Sequence, residues 1–248
     1  MGGETNSGNG LDTQVIDMKS SSSVPSFGDI PSKRRNSVGG LLGSTPILCG
    51  GCFLNFTCED SSCITFKNSK WTKTHEMTTK RGRAASVQLN STTLWIMGGD
   101  NKDDGILDSS EFLSVNSSVG SQGPTLPIKM KSFCAVKYSE HHVYIIGGLT
   151  ETAEWSNNVF ISNPMKGFTY IQGAALKTKR SLHTCGLMTK GQQSKIVVAG
   201  GYDGNNHLSS VEIFDPTIKN WISGKEIISV QFEIKSVILY ICRAFIAL

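Results

Sequence analysis

The stretch Ile196-Val197-Val198-Ala199-Gly200-Gly201 decides the fold. Three of its four apolar residues are β-branched. The run is too short for a helix and stops at two glycines, which is typical of a buried strand. An apolar run also precedes Gly50-Gly51, Gly98-Gly99 and Gly147-Gly148. The first glycines of successive pairs are 48, 49 and 53 residues apart, which indicates a repeated unit.

A second landmark follows each glycine pair at a fixed distance. The residue 21 positions after the first glycine is bulky in every repeat: Trp71, Val119, Phe168 and Trp221. Between the two landmarks each repeat contains another short apolar stretch that is typical of a strand. Glycine lets crowded strands approach each other, and an aromatic ring fills the space between neighbouring units. The pattern therefore predicts an all-β fold of stacked blades around an axis.

The pattern resembles the kelch repeat, in which Gly-Gly ends the second strand and a Trp lies near the end of the unit. The last unit carries the resemblance best, with Arg180-Ser-Leu-His183, the Gly200-Gly201 pair, Ser209-Ser-Val-Glu-Ile-Phe-Asp-Pro216 and Asn220-Trp221. The resemblance covers roughly residues 45–225 and implies a kelch-type β-propeller. Its expected units are 45–75, 76–126, 127–175 and 176–225. Four blades are few for a propeller, so we expect a partial one with open edges.

The chain departs from the kelch pattern at both ends. The first unit lacks its opening strand, and residues 226–248 are apolar but do not resume the repeat, which indicates a degenerate blade or an aberrant end. We also expect no BTB or BACK region before the repeats. In the kelch-like ubiquitin-ligase adaptors those regions dimerise and hold the cullin. The resemblance therefore implies only the substrate-binding half of such an adaptor.

Residues 1–44 are rich in Ser and Gly, with Phe27 as their only aromatic residue. Such a segment buries too little apolar surface to offset the entropy of ordering it, so we expect a disordered tail. Within it, Arg34-Arg35-Asn36-Ser37 fits either a basic-directed kinase site at Ser37 or a chance basic patch.

The net charge of +4 at pH 7 is too small for a nucleic-acid-binding surface, which usually shows a clustered basic stripe. The N-terminal residues have no apolar core, so we expect no signal peptide. The apolar C-terminal segment is a poor membrane span because Glu233, Lys235 and Arg243 interrupt it. We therefore expect a cytoplasmic protein with neither a nucleic-acid nor a membrane partner.

Four cysteines lie close together in the chain: Cys49, Cys52, Cys58 and Cys63. Cys49 and Cys52 have the spacing of a zinc knuckle, but Cys58 and Cys63 do not repeat it. In the absence of a secretory signal we expect reduced cysteines, here small buried thiols in a strand and its loop. A zinc site is the alternative, and we expect no metal.

Residues of the types that often take part in catalysis do not form a recognisable motif in this sequence. Some kelch propellers, such as the copper radical oxidases, are enzymes that need His, Tyr and Cys on one face. His141 and His142 are adjacent and would point to opposite sides of a strand, so a hairpin turn is the better interpretation. The run from Asp100 to Gly105 resembles a calcium loop but lacks the closing Glu. We therefore expect a non-enzymatic protein without a cofactor.

The kelch resemblance also implies where a partner binds. Kelch propellers bind partners on one face, through the residue that begins each unit and the loop after Gly-Gly. In this chain those residues are Arg83, Lys131, Arg180, Asp100, Tyr202, Asn205, Asn206 and His207. Arginine and tyrosine are enriched among interface hot spots. The implied function is a protein-interaction module that recognises a ubiquitin-ligase substrate or, alternatively, binds actin.

Overall fold

The computed structural model describes residues 15–17, 22–24, 30–31, 34–53, 57–190 and 193–226. Apart from Glu226, the predicted C-terminal segment 226–248 lies outside the described residues. The described part contains four blades, each an antiparallel sheet of four strands. The predicted all-β fold of four kelch-type blades is confirmed.

The strands follow one another along the chain, beginning with a separate antiparallel pair, β1 (Val15–Asp17) and β2 (Ser22–Val24). Blade 1 contains β3 (Val38–Leu42), β4 (Thr45–Cys49), β5 (Ser62–Lys67) and β6 (Lys70–Glu76). Blade 2 begins with β7 (Ala85–Asn90) and β8 (Thr93–Met97). A short ribbon of β9 (Asp100–Asn101) and β10 (Gly105–Ile106) then precedes β11 (Ser110–Ser114) and β12 (Ser117–Gln122).

Blades 3 and 4 follow the same plan. The two-residue strand β13 (Met130–Lys131) precedes blade 3, which contains β14 (Cys134–Ser139), β15 (His142–Ile146), β17 (Val159–Asn163) and β18 (Thr169–Gln172). The short strand β16 (Leu149–Thr150) pairs with β13. Blade 4 contains β19 (Thr184–Lys190), β20 (Gln193–Ala199), β21 (Val211–Asp215) and β22 (Asn220–Ser223).

The described residues fall into two compact units, divided between Leu126 and Pro127. Unit 1 holds blades 1 and 2, and unit 2 holds blades 3 and 4. In unit 1 the two blades share one eight-stranded sheet, because β6 and β12 meet through a parallel pairing of Glu76 with Val119. The division between the units coincides with the predicted boundary between the second and third repeats.

The beginning of blade 1 differs from the sequence-based expectation. Strand β3 pairs with β4 along its whole length, and Val38 and Leu42 are buried. The expectation that the first unit lacks its opening strand is therefore wrong. The expected disordered tail over 1–44 is likewise wrong for β1, β2 and residues 34–44, whereas most of residues 1–33 lie outside the described part. The repeated glycines of Val38-Gly-Gly-Leu-Leu42 hide the strand signal in the sequence.

Close contact between neighbouring blades explains the Gly-Gly pairs. In unit 2, a Cβ on Gly147 would lie 2.6 Å from the carbonyl oxygen of Arg180, which opens the next blade. The N–H of Gly148 donates to that same oxygen over 2.8 Å. Gly50 and Gly51 have the same relation to Arg81 in unit 1. All eight glycines of the pairs have a positive φ, which glycine adopts without strain.

The bulky residue near the end of each repeat has different roles. Trp221 is buried in the core of unit 2, and its indole N–H donates to the carbonyl of Ala174 over 2.8 Å. Trp71 packs against the small core of Ile30, Leu48 and Ile64. Val119, in contrast, is exposed.

Phe168 does not take the place of Trp221 in blade 3. The 3₁₀ turn Pro164–Lys166 lengthens the connection between β17 and β18. As a result Tyr170 pairs with Ser162, as Trp221 pairs with Phe214 in blade 4. A fixed spacing of 21 residues does not allow for this longer turn, so Tyr170 and not the half-buried Phe168 occupies the position equivalent to Trp221.

Candidate binding site

Each blade is preceded by an equivalent four-residue segment, which we call the opening stretch. The four opening stretches are Arg34–Ser37, Arg81–Ala84, Met130–Phe133 and Arg180–His183. The second residue of each stretch pairs with the residue that directly follows a Gly-Gly pair: Arg35 with Cys52, Gly82 with Asp100, Lys131 with Leu149, and Ser181 with Tyr202. The opening stretch and the loop after Gly-Gly therefore lie together in every blade.

The first residue of the opening stretch is buried. In blade 4 the Arg180 guanidinium donates to the carbonyl oxygens of Gly200 and Ser210 at 2.7 and 3.2 Å, and to a carboxylate oxygen of Glu212 at 2.9 Å. No part of the Arg180 side chain reaches the surface. The expectation that Arg180 contacts a partner is therefore wrong, since its guanidinium is buried and the hydrogen bonds of its side chain all lie within the blade.

Blade 2 repeats this arrangement with Arg81, which donates to the carbonyls of Gly98 and Ser109 and forms a buried ion pair with Glu111 at 3.0 Å. Glu111 also accepts a 2.7 Å hydrogen bond from the N–H of Thr78. Burial lowers the pKa of Arg81, and the Glu111 charge opposes that shift. The Glu111 carboxylate thus binds the segment that leads into blade 2, which contains Thr78 and Arg81, to the third strand of that blade, β11.

The third residue of each opening stretch has a left-handed backbone, with φ between 53° and 58°: Asn36, Arg83, Ser132 and Leu182. In unit 1 the N–H of Arg83 donates to the carbonyl of Asn36 over 2.9 Å, and in unit 2 Leu182 donates to Ser132 over 2.8 Å. This conformation is uncommon for residues with a side chain and is found disproportionately at binding sites. The third position therefore marks one end of the blades as a candidate binding face.

In unit 1 this face carries an ion pair between two of the predicted site residues. The Arg83 Nε donates to Asp100 Oδ1 over 2.7 Å, and a terminal nitrogen of Arg83 donates to Oδ2. Asp100 is buried, whereas 21% of the Arg83 side chain is exposed. The two-pronged contact fixes the guanidinium plane while leaving part of the group open to solvent.

In unit 2 the equivalent end of the blades carries three rings. The centroid of the Tyr202 ring lies 5.8 Å from that of Trp155, at 77°, and 5.0 Å from that of His207. The Tyr202 hydroxyl donates to the carbonyl of Gly204, and a Cβ on Gly204 would lie 2.8 Å from the Trp155 ring. Trp155 and Tyr202 are half-buried and His207 is exposed. We call Trp155, Tyr202 and His207 the aromatic cluster.

The loop next to the aromatic cluster presents two amides. Asp203 Oδ1 accepts hydrogen bonds from the backbone N–H groups of Asn205 and Asn206 at 2.8 and 2.7 Å. These hydrogen bonds lower the pKa of Asp203. They fix a tight turn on which the side chains of Asn205 and Asn206 are exposed. Lys131 is half-buried and lies in β13 of the same unit.

Trp155, which follows the Gly147-Gly148 pair by several residues, was not among the predicted site residues. A signal was present, because a lone Trp in a polar loop after a Gly-Gly pair is unusual for a purely structural residue. The loop contains the run Thr150-Glu-Thr-Ala-Glu154, which separates the Trp from the pair and hides the equivalence. The pairing of Leu149 with Trp155 folds the loop back and brings the ring to the face.

The six cysteines within the described residues are paired, so the interpretation of these six as reduced thiols is wrong. The pairs are Cys49–Cys63, Cys52–Cys58 and Cys134–Cys185. The burial that the sequence analysis expected for the cluster of four is present. Cys49 and Cys63 face each other directly across β4 and β5, which the sequence alone could not reveal.

Other candidate sites of chemistry do not assemble. Within the described residues, no group of three or more His, Cys, Asp or Glu side chains is arranged to hold a metal ion. His141 and His142 are exposed at the turn between β14 and β15. Ser37 is buried and donates to the carbonyl of Gly50, so it is a poor kinase target in the folded state. No helix in the described part is long and apolar enough to cross a membrane.

Comparisons with known proteins agree with the blades. Residues 192–226 match the family model of the Kelch motif. Over 180 residues the chain is 26% identical to Kelch-like protein 41a of Danio rerio. That alignment covers 70% of this chain and 29% of the relative, so the chain spans less than a third of that protein's length. These matches show that the chain is similar to kelch-repeat proteins, in agreement with its four blades.

Proposed function

We propose that the chain is a protein-interaction module whose partner binds at the end of the blades where the Gly-Gly pairs lie. The aromatic cluster of unit 2 is the observation that carries the proposal. Tyr and Trp provide large contact area with few rotatable bonds, and both are enriched at interface hot spots. Asn205 and Asn206 add exposed hydrogen-bonding groups on a turn that is already fixed by Asp203.

In unit 1 the Arg83–Asp100 pair supports a binding role for the equivalent end of the blades. A guanidinium held in a fixed plane loses little freedom when it binds a partner, and because Asp100 takes one side of the Arg83 fork, a partner oxygen would meet the remaining N–H groups. Arg83 is therefore the arginine that we expect to contact the partner, in the role that the sequence analysis also gave to Arg180.

We further propose that the partner is a cytoplasmic protein recognised as the substrate of a cullin-type ubiquitin ligase. This proposal rests on the kelch resemblance and on the likeness to a protein named Kelch-like protein 41a. Actin is the competing partner, and co-sedimentation of the purified chain with filamentous actin distinguishes the two. Sedimentation with actin that saturates would replace the ligase proposal.

A double variant tests the proposed face. Partners of the full chain are first identified by proximity labelling in cells, and the binding of the strongest partner is then measured with purified proteins. We expect Trp155→Ala with Tyr202→Ala to weaken binding by at least about 30-fold, since loss of one hot-spot residue typically costs about 2 kcal/mol.

The matched control is His141→Ala with His142→Ala. These two exposed rings lie at the beginning of β15, whereas Gly147 follows its other end, so the control changes the opposite end of the same strand. We expect the control to bind as the unmodified chain does. Equal binding by the chain and the Trp155/Tyr202 variant, or an equal loss in the control, would disprove the proposed face.

A further inference from the structure

Cys52 and Cys58 are bonded to each other on the proposed binding face of unit 1. Cys52 directly follows the Gly50-Gly51 pair, the position that Asp100 occupies in blade 2. The Cα atoms of Cys52 and Cys58 are 3.8 Å apart, and both residues are buried.

This cysteine pair touches the residues that hold Arg83. Cys58 Sγ lies 3.7 Å from Asp100 Oδ1, the oxygen that accepts from Arg83 Nε. Both sulfurs also crowd Gly82, where a Cβ would lie 2.5 Å from Cys52 Sγ and 2.9 Å from Cys58 Sγ. Gly82 in turn exchanges two backbone hydrogen bonds with Asp100, at 3.0 and 2.9 Å.

We propose that Cys52 and Cys58 form a reversible thiol–disulfide site that controls the geometry of the Arg83–Asp100 pair. The regulatory meaning of this inference rests on the proposed function of the face. In a reducing compartment such as the cytoplasm, protein disulfides are characteristically transient and redox-sensing. The bond closes only a short segment, with a sequence separation of 6, so its effect is local.

The other two cysteine pairs have a different setting. Cys49 and Cys63 lie in the apolar core of unit 1, between β4 and β5. Cys134 and Cys185 join strands β14 and β19 with a sequence separation of 51. The Cys52–Cys58 pair is the one whose sulfurs touch the predicted partner-binding residues.

Because both sulfurs are buried, an oxidant reaches them only when the site opens locally, so it must be small; a low-molecular-weight disulfide such as glutathione disulfide belongs to that class. The thiolate of one cysteine attacks a sulfur of glutathione disulfide, which breaks that bond, forms a mixed disulfide and releases one glutathione thiolate. The second cysteine thiolate attacks the protein sulfur of the mixed disulfide and releases the second glutathione. The cysteines lose two electrons, both glutathiones are reduced, and the two thiol protons end on them.

Reduction of the disulfide changes the space that the two sulfur atoms need, and this change affects the binding face. In a disulfide the sulfurs are about 2 Å apart, whereas two thiols must separate to van der Waals distance. Gly82 already fills the space beside both sulfurs, so reduction must displace Gly82 or Cys58. Because Gly82 and Asp100 are hydrogen-bonded to each other, we expect that displacement to loosen the hold of Asp100 on Arg83.

Amide hydrogen exchange of the full chain tests the inference without a partner. The chain is equilibrated with glutathione disulfide or with reduced glutathione, and thiol labelling with mass spectrometry reports the state of Cys52 and Cys58. We expect the amides of Gly82 and Asp100 to exchange at least about tenfold faster in the reduced chain, since exchange reports local opening. Unchanged exchange after conversion, or a pair that no glutathione ratio converts, would overturn the inference.

Two double variants assign the effect. Cys52→Ser with Cys58→Ser should exchange at one rate in both glutathione buffers, whereas Cys134→Ser with Cys185→Ser should keep the response of the unmodified chain. A response that persists in the first variant would overturn the inference. Because no partner is present, these results are independent of the binding test of the aromatic cluster.

Discussion

Blades 3 and 4 are neighbours along the chain in unit 2, yet they fill the same buried positions with opposite chemistry. Blade 4 opens with Arg180, which is paired with Glu212 on the third strand. Blade 3 has Met130 at the first position and Phe160 on the third strand, and both are buried. The blades of this chain therefore fold with either an ion pair or two apolar residues at these positions.

The difference between the two blades indicates the structural role of the buried Arg180–Glu212 pair. An apolar pair of similar volume is often as stabilising as a buried ion pair, whereas removal of one charged partner is costly. Arg180 also satisfies the carbonyls of Gly200 and Ser210. We infer that the arginine orders the polar backbone around it, and that a blade whose two positions are both apolar does not need it.

The largest expected effect comes from breaking the pair on one side. Arg180→Met leaves Glu212 buried without its partner and should lower the free energy of unfolding of unit 2 by about 3–5 kcal/mol. The measurement is urea denaturation of the full chain followed by tryptophan fluorescence. The double variant Arg180→Met with Glu212→Phe copies blade 3 and should recover most of the loss. A double variant as unstable as the single one would show that blade 3 has a separate compensation.

A somewhat smaller effect is expected where the two blades meet. Gly147→Ala places a Cβ 2.6 Å from the Arg180 carbonyl oxygen and 2.7 Å from His183 Cε1. We expect a loss of about 2–4 kcal/mol, because overpacking adds to the strain of a positive φ. Gly167 is the matched control in the same unit, since it also has a positive φ but a Cβ there meets nothing within 4 Å. Thermal unfolding that is shifted equally by Gly147→Ala and Gly167→Ala would contradict the crowding argument.

The pH dependence of stability provides a third contrast between the blades. His183 in blade 4 occupies the position of Phe133 in blade 3, and burial together with the Arg180 charge lowers its pKa to about 3. An unfolded histidine titrates near 6.5, so the unfolded state takes up the proton first as the pH falls. The contribution of neutral His183 to the free energy of unfolding is therefore fully present above pH 6.5 and is lost as the pH falls towards 3.

Between pH 6 and 4 this one proton should lower the free energy of unfolding by up to about 1.4 kcal/mol per pH unit. His183→Phe copies blade 3 and should remove that part of the slope. The check is urea denaturation of both proteins across this pH range. Identical slopes for the chain and the His183→Phe variant would show that His183 is not the group responsible.

The opening stretches show how far the sequence could predict the site. The glycine repeat and the apolar runs located the blades, because both reflect local crowding and strand pattern. Arg83, Lys131 and Arg180 were grouped as equivalent basic residues, yet they are the third, second and first residues of their stretches. Whether a basic side chain is buried or reaches the surface depends on its position within the opening stretch, and a difference of one residue changes the outcome. The left-handed backbone at the third position cannot be predicted from residue type, unless that residue is glycine or asparagine.

The smallest expected effect concerns the aromatic residue near the end of each blade. Trp221 in blade 4 is hydrogen-bonded through its indole, whereas the buried hydroxyl of Tyr170 in blade 3 makes no well-formed hydrogen bond within the described residues and has only a weak interaction with the Ser162 hydroxyl across the strands. Burial raises the pKa of Tyr170 to about 12, and the interaction with Ser162 opposes that shift only in part. A buried polar group without a partner is destabilising, so Tyr170→Phe should be neutral or should raise the free energy of unfolding by up to about 1 kcal/mol.

Trp221→Phe should instead lower the free energy of unfolding, because the Ala174 carbonyl loses its donor and the core loses volume. If urea denaturation shows a loss of more than about 1 kcal/mol for Tyr170→Phe, the hydroxyl is satisfied in solution and the two blades are more alike than their contacts indicate.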